Sequence, residues 1–312
     1  MKHLMKKNLY IVAAILLGLT MTSCDENEQF RGELYKKVIY LLSNDDLTFE
    51  TEHALGETST GYVTVYCSGT EHIGEDVNIE LEYDPEIVGK YNYTNYDLDS
   101  SRYAHELDPA KYSIKNLNVT LKANSPDNYA LLPIEIVPDG LCPDSTYFIP
   151  LRIKNANGYE VNENKRSVMY RVILKNDYAT MANITYYQVT GVETRHNSGS
   201  DVAGGISVTR ILAPIAKNKV RFFAGTNTYN PTTVTKEEIN TMAMVITLND
   251  DHTIEIAPYG NLQVEKEDID GTQTNYWEVN KRGQYVFHLS YRYYDSNAKI
   301  WISMTESCVQ RN

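Results

Sequence analysis

The chain has 312 residues, a formal net charge of −12 and 25 tyrosines, against 6 phenylalanines and 2 tryptophans. A chain this acidic lacks the basic surface that a nucleic-acid backbone requires, so nucleic-acid binding is excluded. It also contains no basic amphipathic helix that would bind anionic lipid. The length is sufficient for two domains of ordinary size.

The first 23 residues have the features of a signal peptide. Three lysines fall within the first seven residues, and the apolar run Leu9–Leu19 that follows is too short to span a bilayer. The run ends in Met21-Thr22-Ser23-Cys24, which resembles the bacterial lipobox. We therefore expect residues 1–23 to be removed and Cys24 to become the lipid-modified N-terminus. The alternative is an ordinary signal peptide with a chance cysteine.

Acidic residues follow the cysteine at once, in Asp25-Glu26-Asn27-Glu28. They resemble the acidic tag of Bacteroidetes lipoproteins that are displayed on the outer face of the outer membrane. We expect residues 24–34 to be a tether, the lipid to be the only membrane contact, and the protein to face the cell exterior. A solvated, disordered tether is the simpler reading, and both can hold together.

The next part of the chain has the alternation of apolar and polar residues that is typical of strands. Within Val77–Tyr83, for example, we expect Val77, Ile79, Leu81 and Tyr83 to point inward. The strands predict an N-terminal β-sandwich over residues 35–176. They are Lys37–Leu42, Gly61–Cys67, Val77–Tyr83, Leu117–Ala123, Leu131–Val137, Thr146–Lys154 and Val168–Lys175.

One short helix is predicted within this domain, over Pro85–Tyr91. Asp84 is suited to be its N-cap, and proline is favoured at the first helical position. A polar, tyrosine-rich connection is expected to span Asn92–Lys111.

A second set of strands begins after Lys175–Ala179, which is the natural domain boundary. About eight consecutive strands in so short a stretch predict a lipocalin-like up-and-down β-barrel over residues 180–312, so the fold class is all-β. The strands are Thr185–Val192, Gly205–Leu212, Val220–Ala224, Met242–Leu248, Thr253–Ala257, Asn275–Val279, Gln284–Tyr293 and Lys299–Thr305.

No set of residues in the sequence indicates catalysis. The seven histidines have no metal-binding spacing, and no nucleophile elbow, phosphate-binding loop or dinucleotide fingerprint is present. The acidic run Glu265–Gly271 does not have the spacing of an EF-hand, so a solvated loop is the better reading. We expect no enzyme, no cofactor and no metal. Cys67 is expected to be a buried thiol.

Two aromatic clusters are the candidate binding residues, because tyrosine and tryptophan combine a flat apolar face with a polar atom. Such residues beside amides, carboxylates or guanidinium groups suit a glycan. For the stripe Tyr285–Tyr293, in which odd-numbered residues share one face, packing in the core is the better reading. The candidates are Tyr91, Tyr93, Tyr96, Arg102 and Tyr103 in the first cluster, and Tyr276, Trp277, Tyr294, Asp295 and Trp301 in the second.

Three segments, Ile79–Asn92, Leu107–Tyr112 and Leu131–Ile134, resemble a Bacteroidetes lipoprotein domain of unknown function. That β-sandwich also precedes the catalytic module of some endo-β-N-acetylglucosaminidases. The C-terminal segments Tyr291–Asp295 and Lys299–Trp301 look like its usual partner, a lipocalin-like domain. The resemblance implies an accessory of a polysaccharide-utilisation system, acting beside an outer-membrane importer and a surface glycan-binding protein.

Three functions are therefore open. The first is a non-catalytic surface protein that binds a glycan, which requires exposed aromatic platforms. The second is a structural or adhesion component of the cell surface, which requires an exposed edge strand. The third is a carrier of a small apolar ligand, which requires an enclosed pocket in residues 180–312.

Overall fold

The computed structural model describes residues 36–69, 71–269 and 272–311. The predicted signal peptide, the lipidation residue Cys24 and the acidic tether lie outside the described residues. Strands dominate the described part, which contains four sheets and two α-helices, so the prediction of an all-β protein is confirmed. Within the same residues, no helix is both long and apolar enough to cross a bilayer.

The strands between Val38 and Lys175 form a sandwich of two sheets, as predicted. One sheet has the order β10-β1-β3-β8-β6 and the other has the order β2-β11-β9-β4-β7, with β5 beside β9. The bounds are β1 Val38–Leu41, β2 Thr48–Ala54, β3 Ser59–Cys67, β4 Val77–Tyr83, β5 His105–Glu106, β6 Tyr112–Ser113, β7 Asn118–Leu121, β8 Tyr129–Ile136, β9 Tyr147–Asn155, β10 Glu160–Val161 and β11 Ser167–Lys175.

The core of the sandwich follows the predicted alternation, with one exception. Val77, Ile79 and Leu81 are buried, and so is Cys67. Tyr83, however, is 45% exposed, so the prediction that it points inward is wrong. It is the last residue of β4, where its ring contacts that of Tyr112 at 6.4 Å between centroids instead of entering the core.

The predicted helix begins later and is longer than expected: α1 spans Ile87–Tyr96. The Asp84 carboxylate does not cap it, but accepts hydrogen bonds from the Glu86 backbone at 3.2 Å and from the Ser167 hydroxyl at 2.6 Å. The helix continues past Tyr91 because the buried Asn92 side chain exchanges two hydrogen bonds with the Ala104 backbone, at 2.8 and 2.9 Å. Three of the candidate tyrosines therefore lie on a helix and not in a loop.

The strands after residue 185 form two further sheets. Their orders are β13-β12-β21-β20-β18, with β19 also beside β20, and β14-β15-β16-β17. The bounds are β12 Tyr186–His196, β13 Asp201–Ile211, β14 Ala213–Ala216, β15 Lys219–Phe223, β16 Ala243–Leu248, β17 Ile254–Pro258, β18 Val264–Lys266, β19 Tyr276–Val279, β20 Tyr285–Asp295 and β21 Ile300–Gln310, with helix α2 at Lys236–Met242.

The up-and-down order of these strands is as predicted, but the sheets form a half-barrel. No continuous ladder closes it within the described residues. Between β13 and β14 the chain passes from one sheet to the other at Leu212. Between β17 and β19 the strand pairing among the described residues is a single isolated bridge, Thr253 to Tyr276. Both β14 and α2 were missing from the sequence prediction.

Side chains fill the space between these two sheets. Phe222, Met244, Phe287 and Met304 are completely buried there, among other apolar residues. The same space contains an ion pair between Arg210 of β13 and Glu306 of β21, whose side chains are at most 1% exposed and whose atoms lie 2.6 and 3.0 Å apart. The enclosed apolar pocket that a small-ligand carrier requires is therefore not formed by the described residues.

Gly191 of β12 lies where β21 approaches most closely. A Cβ atom at this position would lie 2.2 Å from the Thr305 carbonyl oxygen and 2.7 Å from the Glu306 Cα. Only glycine leaves room for β21 at this distance, so Gly191 allows Glu306 to reach across β12 toward Arg210.

A second ion pair, in which only the arginine is fully buried, joins the two halves of the chain. Arg221 of β15 forms a bidentate pair with Asp144, which lies in the loop between β8 and β9, and Tyr229 donates a further hydrogen bond to Asp144 at 2.6 Å. The Arg221 guanidinium lies 4.9 Å from the Tyr229 ring centroid and 5.2 Å from that of Tyr259. Beside it, the Asn176 amide donates to the carbonyls of Ala216 and Lys219 at 2.8 and 3.0 Å.

Burial favours a higher pKa for the Asp144 carboxyl, but the hydrogen bonds and charge of Arg221 outweigh it and hold the pKa below its ordinary value. A carboxyl with a lowered pKa stabilises the fold above its ordinary pKa, and this contribution is lost as the pH falls through the lowered value. We therefore expect Arg221→Gln to destabilise the protein by about 2 kcal/mol at neutral pH, because it removes two charge-assisted hydrogen bonds from the Asp144 carboxylate, whose side chain is 18% exposed.

The matched control for this variant is Arg152→Gln, which breaks a solvent-accessible pair with Glu82 and is expected to leave the free energy of unfolding almost unchanged. Urea unfolding followed by tryptophan fluorescence is the measurement, since both tryptophans lie in the C-terminal half. Equal midpoints for the two variants would contradict a structural role for the Asp144–Arg221 pair.

Candidate functional site

The first aromatic cluster offers one freely exposed ring. Tyr93 on α1 is 70% exposed. Tyr91 packs edge-on against Phe148 with centroids 5.0 Å apart. Tyr96 is covered by the guanidinium of Arg102 at 4.9 Å. These contacts stabilise the helix on the outer side of the N-terminal sandwich and leave Tyr93 without an aromatic neighbour.

Tyr103 belongs to the same cluster but serves the local fold. Its hydroxyl donates to the Asp97 carbonyl at 2.5 Å, which fixes the turn after α1. The five predicted residues of this cluster are thus near one another, although most of their polar atoms and ring faces are already in contact with the protein.

The second cluster is divided by strand alternation. Trp277 faces the interior of the half-barrel, where it stacks on His252 with centroids 4.2 Å apart and donates to the Asn249 carbonyl at 2.9 Å. Asp295 ends β20, and its carboxylate accepts from the backbone nitrogens of Asn297 and Ala298 at 2.9 and 3.0 Å. Trp277 therefore packs the seam between the two C-terminal sheets, and Asp295 shapes a turn.

Tyr276, Tyr294 and Trp301 all lie on the opposite side of the same sheet, in two separate places. We call this side, which faces away from the C-terminal core, the outer face. Tyr276 is directly opposite His288 of β20, and their rings stack with centroids 4.4 Å apart. Further along β20, Tyr294 is opposite Trp301 of β21, with centroids 5.7 Å apart. The odd-numbered residues of β20 are in the core, as predicted.

The two aromatic pairs are held at a fixed spacing by β20. His288 and Tyr294 are six positions apart in β20, which corresponds to about 20 Å along a strand. Arg292 lies between them, with its guanidinium 4.9 Å from the Trp301 ring centroid and its Nε 2.9 Å from the Glu265 carboxylate. The charge of Arg292 is therefore already compensated.

Hydroxyl groups occupy the outer face between the aromatic pairs. The register places Ser303, Thr305 and Ser307 of β21 in one row. Thr194 and Thr190 of β12 lie opposite Ser303 and Ser307. Because alternate residues of a strand share one face, β21 contributes a row of three hydroxyl groups and β12 contributes two threonines, one on each side of the exposed Val192.

At the N-terminal end of β12 the outer face forms a depression of about 650 Å³, which we call the concave end. The exposed ring of Tyr186 lies there, and its backbone carbonyl accepts a hydrogen bond from the Arg311 nitrogen at 2.8 Å. The remaining lining residues are Ile184, Arg282, Gln284 and Arg311.

Sequence reasoning missed this concave end. Its residues come from β12, from the β19–β20 turn and from the end of β21, so only the pairing of these strands brings them together. The alternation of β12 does contain a signal, because it places Tyr186 on the same face as Gln188 and Thr190. The sequence alone, however, does not specify that Arg311 follows the neighbouring strand.

Part of the acidic run that raised the question of calcium also borders this face. Glu265 pairs with Arg292, and Glu267 accepts from the Ser303 hydroxyl at 3.1 Å. Asp270 and Gly271 lie outside the described residues. No group of metal-ligating side chains occurs in the part of the chain that the structure describes.

A second depression, of about 420 Å³, lies between β7 and β8 of the N-terminal sandwich. Tyr129 and Leu131 are exposed along it, but its two lysines are already paired: Lys115 with Glu135 at 2.9 Å and Lys122 with Asp76 at 2.7 Å. Compared with the outer face, this groove has one aromatic ring and no uncompensated cation.

Comparison with known families accounts for nearly all of the described chain. A model of an N-terminal domain matches residues 35–160, and a model of a C-terminal domain matches residues 166–309. The chain therefore contains one domain of each of these two kinds. Among curated proteins, none has a sequence that matches.

Several solved structures have the same two-domain architecture. A protein of unknown function from Bacteroides ovatus is 14% identical, with a TM-score of 0.63 over 88% of this chain and 95% of that one. Another from the same organism is 19% identical, with a TM-score of 0.59 over 91% and 94%. An auxiliary nutrient binding protein from Bacteroides thetaiotaomicron is 13% identical, with a TM-score of 0.58 over 86% and 94%. At these identities the matches establish a shared fold.

Proposed function

We propose that this protein is a non-catalytic, glycan-binding lipoprotein, anchored through Cys24 on the outer face of the outer membrane. In this role it would capture a polysaccharide and pass it to an outer-membrane importer and its surface glycan-binding partners. The observation that carries the proposal is the outer face, where two aromatic pairs about 20 Å apart flank rows of hydroxyl groups.

The chemistry of sugars fits this arrangement. A pyranose ring has a face of C–H groups that stacks on a flat aromatic ring, while its hydroxyls need donors and acceptors. The aromatic rings of the outer face are held in place by neighbouring side chains, so little conformational entropy is lost when a ligand binds. Tyr276 and Trp301 are half-buried, with His288 and Arg292 against their rings. Their remaining ring surface is the part that would contact two separate units of one extended chain.

Two further observations support a binding role at the surface. The B. thetaiotaomicron protein that shares the fold is an auxiliary nutrient binding protein, and nutrient binding is the role proposed here. The space between the C-terminal sheets is filled by side chains, which favours a ligand on the outside over a small apolar ligand within. The acidic residues after Cys24 support display toward the exterior.

The glycan proposal predicts which side chains matter. A soluble form beginning at Asp25 should be retarded in gels that contain the recognised polysaccharide. Trp301→Ala and Tyr294→Ala should each weaken binding about tenfold, which is about 1.4 kcal/mol of binding free energy. Affinity electrophoresis on a panel of neutral and acidic polysaccharides is the measurement.

The matched control is Tyr93→Ala, which removes an exposed tyrosine far from this sheet and should bind as the wild type does. If Tyr93→Ala loses retardation while Trp301→Ala keeps it, the ligand binds at α1 and the outer face is excluded.

The anchoring proposal has its own test. Cys24→Ala should abolish incorporation of labelled palmitate and release the protein from the outer-membrane fraction, because the acyl chains provide the hydrophobic anchor. Cys142→Ala, which alters a half-buried thiol elsewhere, should leave both unchanged. Retention of Cys24→Ala in the membrane fraction would contradict lipid anchoring at this residue.

A second candidate function, as a structural component that pairs with a second copy, is favoured by β13. Among the strands that the structure describes, this strand of eleven residues pairs with β12 alone, and residues 201–205 are exposed. Between Val202 and Thr209 it contains neither a charge nor a proline, although edge strands usually carry one or the other to prevent pairing. Two copies could join these edges about a two-fold axis.

Assembly through β13 predicts a dimer in solution that Val202→Lys converts to a monomer. Val192→Lys is the matched control, because Val192 is similarly exposed but lies on the outer face of β12. Size-exclusion chromatography with light scattering measures the mass. A wild-type monomer at every concentration would exclude this candidate.

A further inference from the structure

Most arginines of the described chain are in contact with a carboxylate or an aromatic ring. Eight of the ten have such a partner: Arg102, Arg152, Arg166, Arg171, Arg195, Arg210, Arg221 and Arg292. The guanidinium groups of the other two, Arg282 and Arg311, make no ion pair, hydrogen bond or ring contact with any described residue. Both line the concave end of the outer face.

The backbone around these two arginines is fixed, although their guanidinium groups are not engaged. Arg311 extends β21 and donates its backbone N–H to the Tyr186 carbonyl at 2.8 Å. Arg282 lies in the β19–β20 turn, where its own N–H donates to the Asn280 side chain at 2.9 Å. The Gln284 amide donates to the Gln310 carbonyl at 2.8 Å and ties this turn to β21.

The concave end has uncompensated positive charge, although the chain as a whole is acidic. The whole chain carries a formal charge of −12, yet two like charges line one depression with no compensating carboxylate among the described residues. Guanidinium groups bind carboxylates through paired, charge-assisted hydrogen bonds, which are about twice as strong as neutral ones. An anion in the depression would relieve the repulsion between the two charges and gain these bonds.

The groups beside the arginines indicate what carries the anion. Tyr186 presents an exposed ring, 43% accessible, suited to the C–H face of a sugar. The hydroxyl rows of the outer face continue from this end along β12 and β21. At the opposite end, by contrast, Arg292 is neutralised by Glu265, so the Tyr294–Trp301 pair suits an uncharged unit.

We propose that the concave end is a subsite for a hexuronate unit, with its carboxylate held by Arg282 and Arg311 and its ring against Tyr186. This inference rests on the proposed function and specifies its substrate class: an acidic polysaccharide. It also assigns an acidic unit to Tyr186 and an uncharged unit to the Tyr294–Trp301 pair.

The test compares polymers that differ only in charge. The soluble form beginning at Asp25 is assayed by affinity electrophoresis and calorimetry with polygalacturonate and its methyl-esterified form, and with alginate, glucuronoxylan and hyaluronan. Dextran sulfate and dextran distinguish a sulfate from a carboxylate. We expect binding of at least one uronate polymer, and where that polymer is polygalacturonate, methyl esterification should weaken it about tenfold or more.

The variants separate the subsite from the rest of the face. The double variant Arg282→Gln/Arg311→Gln should weaken uronate binding about tenfold or more. Lys281→Gln, which removes an adjacent exposed cation that does not line the depression, should stay within about twofold of the wild type. Because all three residues are exposed, circular dichroism should show the same fold for each variant.

The possible binding results distinguish the hexuronate subsite from the proposed function. Wild-type uronate affinity in the double variant, equal binding of esterified polygalacturonate, or binding of dextran sulfate but of no uronate overturns the hexuronate subsite. Binding of neutral polymers alone that still depends on Trp301 and Tyr294 also overturns it, but leaves the proposed function intact. Binding that is unaffected by Trp301→Ala and Tyr294→Ala overturns the proposed site, and no binding of any polymer overturns both.

Discussion

The buried ion pair between Arg210 and Glu306 determines which side of the C-terminal sheets can bind a ligand. Both side chains are removed from water, and their bidentate geometry repays part of the cost of burying the two charges. With the apolar side chains around it, the pair occupies the space that a barrel of this topology could otherwise leave for a ligand. The binding site that we propose therefore lies on the outside, where β12, β20 and β21 present alternate residues to solvent.

The ion pair between Asp144 and Arg221 connects the two halves of the chain. It connects a loop of the N-terminal sandwich to β15, and the Asn176 amide hydrogen-bonds to the same β14–β15 hairpin. The segment after β11 is therefore packed against the C-terminal half, and the boundary that the sequence indicates is not a loose linker. This contact holds the outer face in a defined orientation relative to the N-terminal sandwich.

Much of the fold could be predicted from strand alternation, because each sheet has one buried face. Val77, Ile79 and Leu81 reveal β4, and the odd residues of β20 reveal a core stripe. Strand β2 gives no such signal: only Thr48 and His53 are buried in it, and its pairing with β11 is parallel and distant in sequence. The extension of α1 depends on the tertiary contact between Asn92 and Ala104, which no local pattern specifies.

The candidate site was predictable in part. Tyr276, Tyr294 and Trp301 share the outer face, whereas Trp277, a neighbour of Tyr276 on the same strand, must point the other way because successive side chains alternate. The Asp295 carboxylate accepts hydrogen bonds from the backbone of the turn that follows β20. The concave end could not be predicted, since Tyr186 and Arg282 are almost a hundred residues apart and meet only through the register of β12, β21 and β20.

Glycan binding on the outer face can be measured directly through the two tryptophans of the chain. Trp301 lies on this face and Trp277 on the opposite side of the same sheet. Trp277→Phe and Trp301→Phe each leave one reporter, whose fluorescence is followed while a retained polysaccharide is added. If the glycan binds on the outer face, the fluorescence of the variant that keeps Trp301 changes saturably, and that of the variant that keeps Trp277 does not change. A response from Trp277 alone would contradict binding on this face.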